Sequence, residues 1–229
     1  MSLRERLDLV HGKIEGAARK TGRSLKDITV VAVTKGVSAD RVTEAKEAGV
    51  AVFGENKVQE AEPKILNIQP PPEWHLIGHL QSNKVKQAVS LFQMIQSVDS
   101  VRVAKEISKE SQALSRCMPV LLEVNVSGEP KKYGFKPEEV YTVLEEIVKL
   151  PNVKTMGLMG IGPLGASEQV LRDSFKKLKN IFGVCKTLKI RENLEMKYLS
   201  MGMSDDFEMA IEEGSNMIRI GRGLFGGRT

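Results

Sequence analysis

Two cysteines among 229 residues, Cys117 and Cys185, stand far apart and outside any CxxC pair. That excludes a disulfide scaffold and a cysteine-based zinc site, and it suits a reducing compartment. Both read as packing residues. Histidine is scarce too: His11 lies in a helical pattern, and His75 and His79 straddle a glycine turn instead of sharing a helix face. No metal is therefore expected. Aromatic residues make up 5% of the chain, too few for a base-stacking surface, and the net charge of +5 is scattered rather than blocked. Nucleic acid is thus an unlikely partner, and the mild basicity reads as solubility plus a preference for small anions. No apolar run approaches the ~20 residues of a membrane span. The start, Met1-Ser2-Leu3-Arg4-Glu5-Arg6-Leu7, has no signal core, so a cytoplasmic protein is expected. A Gly-x-x-x-x-Gly-Lys-Ser/Thr phosphate loop is also absent.

What the sequence does hold is alternation. Apolar, β-branched runs end at Lys35, Phe53, Ile77, Ser97, Val126, Leu158, Leu199 and Ile220, and helical patterns separate them. Strand and helix in turn imply a parallel sheet. Eight such units over residues 1–229, read as one domain, point to a closed α/β (β/α)8 TIM barrel, with an open doubly wound sheet as the alternative. Only nine residues follow Ile220, too few for a full last helix. The extra N-terminal helix, about Leu3 to Lys20, would fill that outer position.

Active sites of such barrels gather at the C-terminal strand ends. Lys35 closes the first run and precedes Gly36. An ammonium there is half desolvated at the rim and is a candidate nucleophile toward a carbonyl; the plainer reading is a lysine reaching for water. Gly54-Glu55-Asn56 and Gly78-His79-Leu80-Gln81 follow the second and third runs, and His75 is grouped with the latter. Ser200, Gly202 and Gly221, on the last two loops, resemble an anion cradle; the plainer reading is two ordinary glycine turns. Arg219 lies between Ile218 and Ile220 and faces the barrel axis if those isoleucines face the helices. It needs an acceptor: a ligand, or a rim carboxylate such as Glu55. A lysine, an anion cradle and an inward arginine in one mouth suit an aldehyde-bearing phosphate ligand, a description that pyridoxal 5′-phosphate (PLP) meets.

The segments Val31-Ala32-Val33-Thr34-Lys35, Phe53-Gly54-Glu55-Asn56-Lys57-Val58-Gln59-Glu60, Trp74-His75-Leu76-Ile77-Gly78-His79-Leu80-Gln81-Ser82-Asn83-Lys84, Glu123-Val124-Asn125-Val126-Ser127-Gly128, Gly157-Leu158-Met159, Leu199-Ser200-Met201-Gly202-Met203-Ser204-Asp205 and Ile218-Arg219-Ile220-Gly221 run through almost the whole chain. In these the chain resembles the YggS-like pyridoxal phosphate homeostasis proteins, also called proline synthetase co-transcribed homologues. The resemblance implies a fold-type III PLP barrel like the N-terminal domain of alanine racemase. It implies that Lys35 carries PLP as a Schiff base, that Ser200, Gly221 and Arg222 cradle the phosphate, and that Arg219 faces the pyridine nitrogen. Asn56 and His79 would lie near the ring or its rim, and Lys132 would be a secondary anion contact. Gly36 and Arg222 both stand where threonine is common in the family.

An arginine can only donate to the pyridine nitrogen, which leaves the ring a poor electron sink. Racemisation would also need an acid-base residue opposite the lysine, a tyrosine supplied by a second domain in alanine racemases. Of Tyr133, Tyr141 and Tyr198, only Tyr133 lies on a rim loop. The expected function is therefore a non-catalytic PLP carrier in PLP homeostasis, monomeric, delivering to PLP-accepting apo-enzymes. A PLP-dependent amino-acid racemase is the alternative, and a barrel for another phosphorylated metabolite a third.

Overall fold

The β-branched and apolar runs form eight parallel strands that close on themselves in the order β1 to β8. They are β1 (Thr29–Val33), β2 (Val52–Glu55), β3 (Glu73–Leu76), β4 (Met94–Val98), β5 (Met118–Val124), β6 (Val153–Gly160), β7 (Leu194–Met203) and β8 (Met217–Ile220). β1 pairs with both β2 and β8, so the ring has no free edge and the open-sheet alternative falls. The computed structural model describes residues 1–130, 132–188 and 192–227.

The helices form the outer layer: α1 (Leu3–Arg19), α2 (Ala39–Glu47), α3 (Val58–Asn67), α4 (Val85–Leu91), α5 (Val101–Ala113), α6 (Val140–Ile147), α7 (Glu168–Lys186), α8 (Phe207–Glu212) and the short α9 (Arg222–Phe225). Ser2 and Glu5 start α1 with a reciprocal capping box. Leu3, Leu7, Val10 and Ile14 line its buried stripe, at the three- and four-residue spacing of one helix face. Lys13 and Lys20 bridge to Glu208 and Glu212, fixing α1 beside α8. α1 thus takes the outer position that α9 is too short to cover.

Strand alternation separates two apolar layers. Ala32, Phe53, Trp74, Ile95, Leu122, Leu158, Leu199 and Ile218 face the helices. Val31, Val52, Ile77, Met94, Leu121, Met159 and Met217 fill the barrel interior. This parity orients the site: Val33 continues the inward face of Val31 and Arg219 that of Met217, and Lys35 follows on the turn that leaves β1.

Seven of the eight strand ends differ by one to four residues from the sequence reading, and three of these bear on the site. β1 stops at Val33, because the Val37 N–H bonds to the Thr34 carbonyl in a tight turn with Gly36 at φ +71°. A positive φ at that turn position favours glycine, which accounts for Gly36. β6 runs to Gly160 and β7 to Met203, so Gly157–Gly160 and Ser200–Met203, expected as loops, are strand. Their glycines form irregularities inside the ladder, with register shifts beside Gly157 and near Gly202.

Gly157 combines φ +147° with a position where any Cβ would overlap the Tyr198 carbonyl oxygen. Gly157→Ala is expected to lower the unfolding free energy by about 3 kcal/mol or more in urea denaturation. Gly183→Ala, on α7 with open space for a Cβ, should instead gain roughly 0.5–1 kcal/mol.

Candidate functional site

The mouth at the C-terminal strand ends holds a cavity of about 800 Å³. Among the sequence-predicted residues, Lys35, Asn56, Arg219, Gly221 and Arg222 line it together. Ser200 and His79 do not.

Lys35 is half-buried on a turn that other side chains pin. The Thr34 hydroxyl donates to Glu55 Oε1 at 2.7 Å. The buried Lys64 Nζ donates to the Thr34 carbonyl at 2.8 Å and to Glu55 at 2.6 Å. The Gly36 N–H bonds to Glu60, which Lys64 also reaches at 3.1 Å. Burial pushes the Glu55 carboxyl up, against the lowering effect of the Lys64 and Thr34 hydrogen bonds. Glu55 therefore faces the helices and serves the Lys35 turn; it is not the partner of Arg219 that one reading of the sequence allowed. Lys64 escaped the sequence reading, although Glu60 and Lys64 stand at the four-residue spacing of a helix pair. Asn56 is placed by Gly78, whose missing Cβ leaves room for the Asn56 backbone.

Arg219 is 4% exposed and belongs to a hydrogen-bonded chain across the barrel. Its Nη1 donates to Ser200 Oγ at 2.7 Å, and its Nη2 donates to the Gly160 carbonyl at 3.0 Å. Ser200 in turn donates to Gln96 Oε1 at 2.7 Å. Gln96 Nε2 then meets His75 Nδ1 at 2.8 Å, and His75 Nε2 meets Glu73 at 2.9 Å. With Nδ1 as acceptor, the His75 proton sits on Nε2. Ser200 and His75 are thus interior residues, 0% and 1% exposed. The expectation that Ser200 cradles an anion is corrected: its strand continues past it, and its oxygen is occupied by Arg219. Gly202 is likewise needed for φ +95° and close packing on α8, not for an anion's approach.

Ser204 stands at the cavity wall instead, and its Oγ accepts from the Gly223 N–H at 3.2 Å. That bond joins the loops after β7 and β8 into one cradle with Gly221 and Arg222. The Arg222 side chain turns outward to Asp205. His79 sits on the far rim, with Nδ1 2.6 Å from Asp99 and its ring stacked on Tyr133 at 3.7 Å. Lys132 reaches Glu129 at 2.6 Å and the Gly162 carbonyl at 3.3 Å.

Burial lowers the Arg219 pKa to about 10, so it is a cation at neutral pH. Among the described residues no carboxylate pairs directly with it, although Glu123 and Asp206 act on it through space. A buried cation on neutral acceptors, open to a cavity, is suited to an acceptor-bearing ligand. With the Lys35 amine and the Ser204–Gly221–Arg222 cradle, the donor set fits an aldehyde, a ring-nitrogen acceptor and a phosphate. No group of three or more potential metal-binding residues occurs among the described residues.

These features define a barrel of the alanine racemase type. The family model described as alanine racemase, N-terminal domain, matches residues 14–229. Alanine racemase of Clostridium difficile 630 superposes with a TM-score of 0.74 at 16% identity, covering 99% of this chain and 56% of that one, a likeness of fold alone. The chain belongs to the pyridoxal phosphate homeostasis protein family. It is 39% identical over 229 residues to the member from Aquifex aeolicus, covering 100% of this chain and 99% of that protein. It is 38% identical to the human member, over 97% and 85% of the two lengths. The structure of PipY from Synechococcus elongatus PCC7942 with PLP bound has a TM-score of 0.86 at 32% identity, covering 98% and 100% of the chains.

Glu123 lies beside this site on the inward face of β5, 8% exposed. Burial, then repulsion by Asp99, raises its carboxyl from 4.5 to about 7, against the attraction of Arg219. Its contribution to stability is fullest below 4.5 and is lost as pH rises through about 7, by on the order of 3 kcal/mol. Glu123→Gln should therefore stabilise the protein at pH 8 by roughly that amount and change little near pH 4.5. Urea unfolding across this range reads the slope.

Proposed function

We propose that this chain binds PLP in the mouth and acts in PLP homeostasis as a holder of the cofactor. The observation that carries the reading is the convergence of Lys35, Arg219 and the Ser204–Gly221–Arg222 cradle on one cavity. The homeostasis role of the named relatives and the PLP in PipY support it.

When bound, PLP supplies an aldehyde that condenses reversibly with a primary amine. Lys35 is that amine, and its pinned turn keeps Nζ at the mouth. Arg219 would donate to the pyridine nitrogen and keep it an acceptor. The backbone at Gly221 and Arg222, with the Ser204 hydroxyl, holds the phosphate. Asn56 borders the ring. Ser200 acts through Arg219 by orienting it, and His79 belongs to the rim.

The holder reading is preferred to a racemase for two reasons. Among the described residues no tyrosine lines the cavity: Tyr133 stacks on His79, Tyr141 is on α6, and Tyr198 packs in the barrel interior. The arginine also limits the ring's electron withdrawal. The finer proposal is a monomeric, single-domain cytoplasmic protein that releases PLP to apo-enzymes through an open mouth, where Leu164 is 90% exposed.

Purified protein mixed with PLP should acquire visible absorbance, and borohydride should fix the added mass on the Lys35 peptide. Lys35→Ala should show neither. An unchanged spectrum in that variant would remove Lys35 from the site. Chiral chromatography of L-alanine, L-serine and L-lysine incubated with the loaded protein should show no D-enantiomer, and its appearance would restore the racemase reading.

A further inference from the structure

The opposite end of the barrel carries a second cavity, of about 400 Å³. It lies where the α1–β1 and α8–β8 connections meet α7 and β7. Four cations and one acid line it: Arg23, Lys179, Lys186, Lys197 and Asp27. The acid is engaged by its own turn, accepting from the Ser24 N–H at 2.8 Å and the Ser24 hydroxyl at 3.0 Å. Arg23 forms a rigid wall, donating to Ile211 and Ser215 carbonyls and to Thr21 Oγ1.

The three lysines are different. Among the described residues none of them forms an ion pair; Tyr198, and then Glu195 and Glu73 through space, raise the Lys197 pKa, but both acids are bonded to other groups. Glu195 pairs with Lys154, and Glu212 pairs with Lys20 and Arg172. The Lys179 and Lys186 ammoniums lie 5.9 and 5.1 Å from the centroid of the Phe182 ring, so both crowd one wall. Gly214, at φ +103°, lets Lys179 lie across the turn, since a Cβ there would come within 3.1 Å of its Nζ. Burial lowers the Lys179 pKa, and repulsion from Lys186 and Arg23 lowers it further.

This end of a barrel ordinarily serves stability. Lys179 and Lys186, unpaired among the described residues and crowded at this concavity, work against stability, and a multiply charged anion would relieve them. We propose that this cavity is a second anion site, separate from the mouth, that takes a small molecule bearing a diphosphate group. Three ammoniums on converging walls suit more than one charged phosphate. The volume lies within the range of small-molecule sites, roughly 300–1,000 Å³.

Calorimetric titration of the full chain with inorganic pyrophosphate, and in parallel with ADP, tests the assignment. Binding should weaken about tenfold or more in Lys179→Glu/Lys186→Glu, and by less in the charge-neutral Lys179→Gln/Lys186→Gln. It should fall with added salt and persist in Lys35→Ala. Tighter ADP than pyrophosphate would show that a nucleoside adds contacts, and equal affinities that the diphosphate alone is read; both support the site. Absence of binding, affinity unchanged in the lysine variants, or loss in Lys35→Ala would overturn it, the last by moving the anion to the mouth.

Discussion

One buried guanidinium organises this barrel. Arg219 enters the interior from β8 with no carboxylate in direct contact among the described residues, and it is held by Ser200 on β7 and the Gly160 carbonyl on β6. Removing such a cation from water costs several kcal/mol, and neutral acceptors recover part of that. The structure answers with a chain of oriented groups from four strands, running from Arg219 through Ser200 and Gln96 to His75 and Glu73. Each donor direction follows from the one before, beginning with an arginine that can only donate. Networks of this kind stiffen when every member is satisfied. The guanidinium therefore meets the mouth as a fixed charge instead of a mobile arm.

The lysine is fixed by an independent device. Glu55, Glu60 and Lys64 lie on β2 and α3, and they hold Thr34 and Gly36 on either side of Lys35. A buried ion pair is a poor source of stability but a strong specifier of geometry when its spare donors are satisfied. Here the third Lys64 hydrogen bond goes to the Thr34 carbonyl, one residue before the nucleophile. β1 itself bonds to both β2 and β8. Lys35 and Arg219 thus meet across adjacent strands whose register is set by the ladder, with separate supports behind each.

The ring of eight was readable because apolar runs and helical patterns alternate without interruption, and because Ile218 and Ile220 bracket Arg219. Strand parity carried that reading directly into the site. Ser200 shows where pattern reading ends. A serine and glycine in Ser200-Met201-Gly202-Met203-Ser204 look like a loop, yet Gly202 bends a strand that continues, so the hydroxyl at the cavity is Ser204. The same kind of glycine misplaces the end of β6, where Gly157 lies inside the ladder. Lys64 and Gln96 were missed for another reason. Their roles depend on partners 30 and 104 residues away in sequence, and no local spacing encodes such a meeting.

The constraint that builds the barrel also bounds its chemistry. A carboxylate facing a ring nitrogen would accept a hydrogen bond from the protonated ring and stabilise its positive charge, and so strengthen the ring's pull on electrons. Arg219 remains a cation with protons to donate. The two carboxyls that act on it through space, the buried Glu123 and the partly buried Asp206, both have their pKa raised, by burial first. Neither is in direct contact with the guanidinium, so neither supplies a second base beside it. Under the proposed function Arg219 would keep the ring nitrogen an acceptor, and Lys35 would be the amine that takes up and gives back the aldehyde. A side chain that can donate to such a nitrogen but cannot accept from it would favour holding PLP over transforming it.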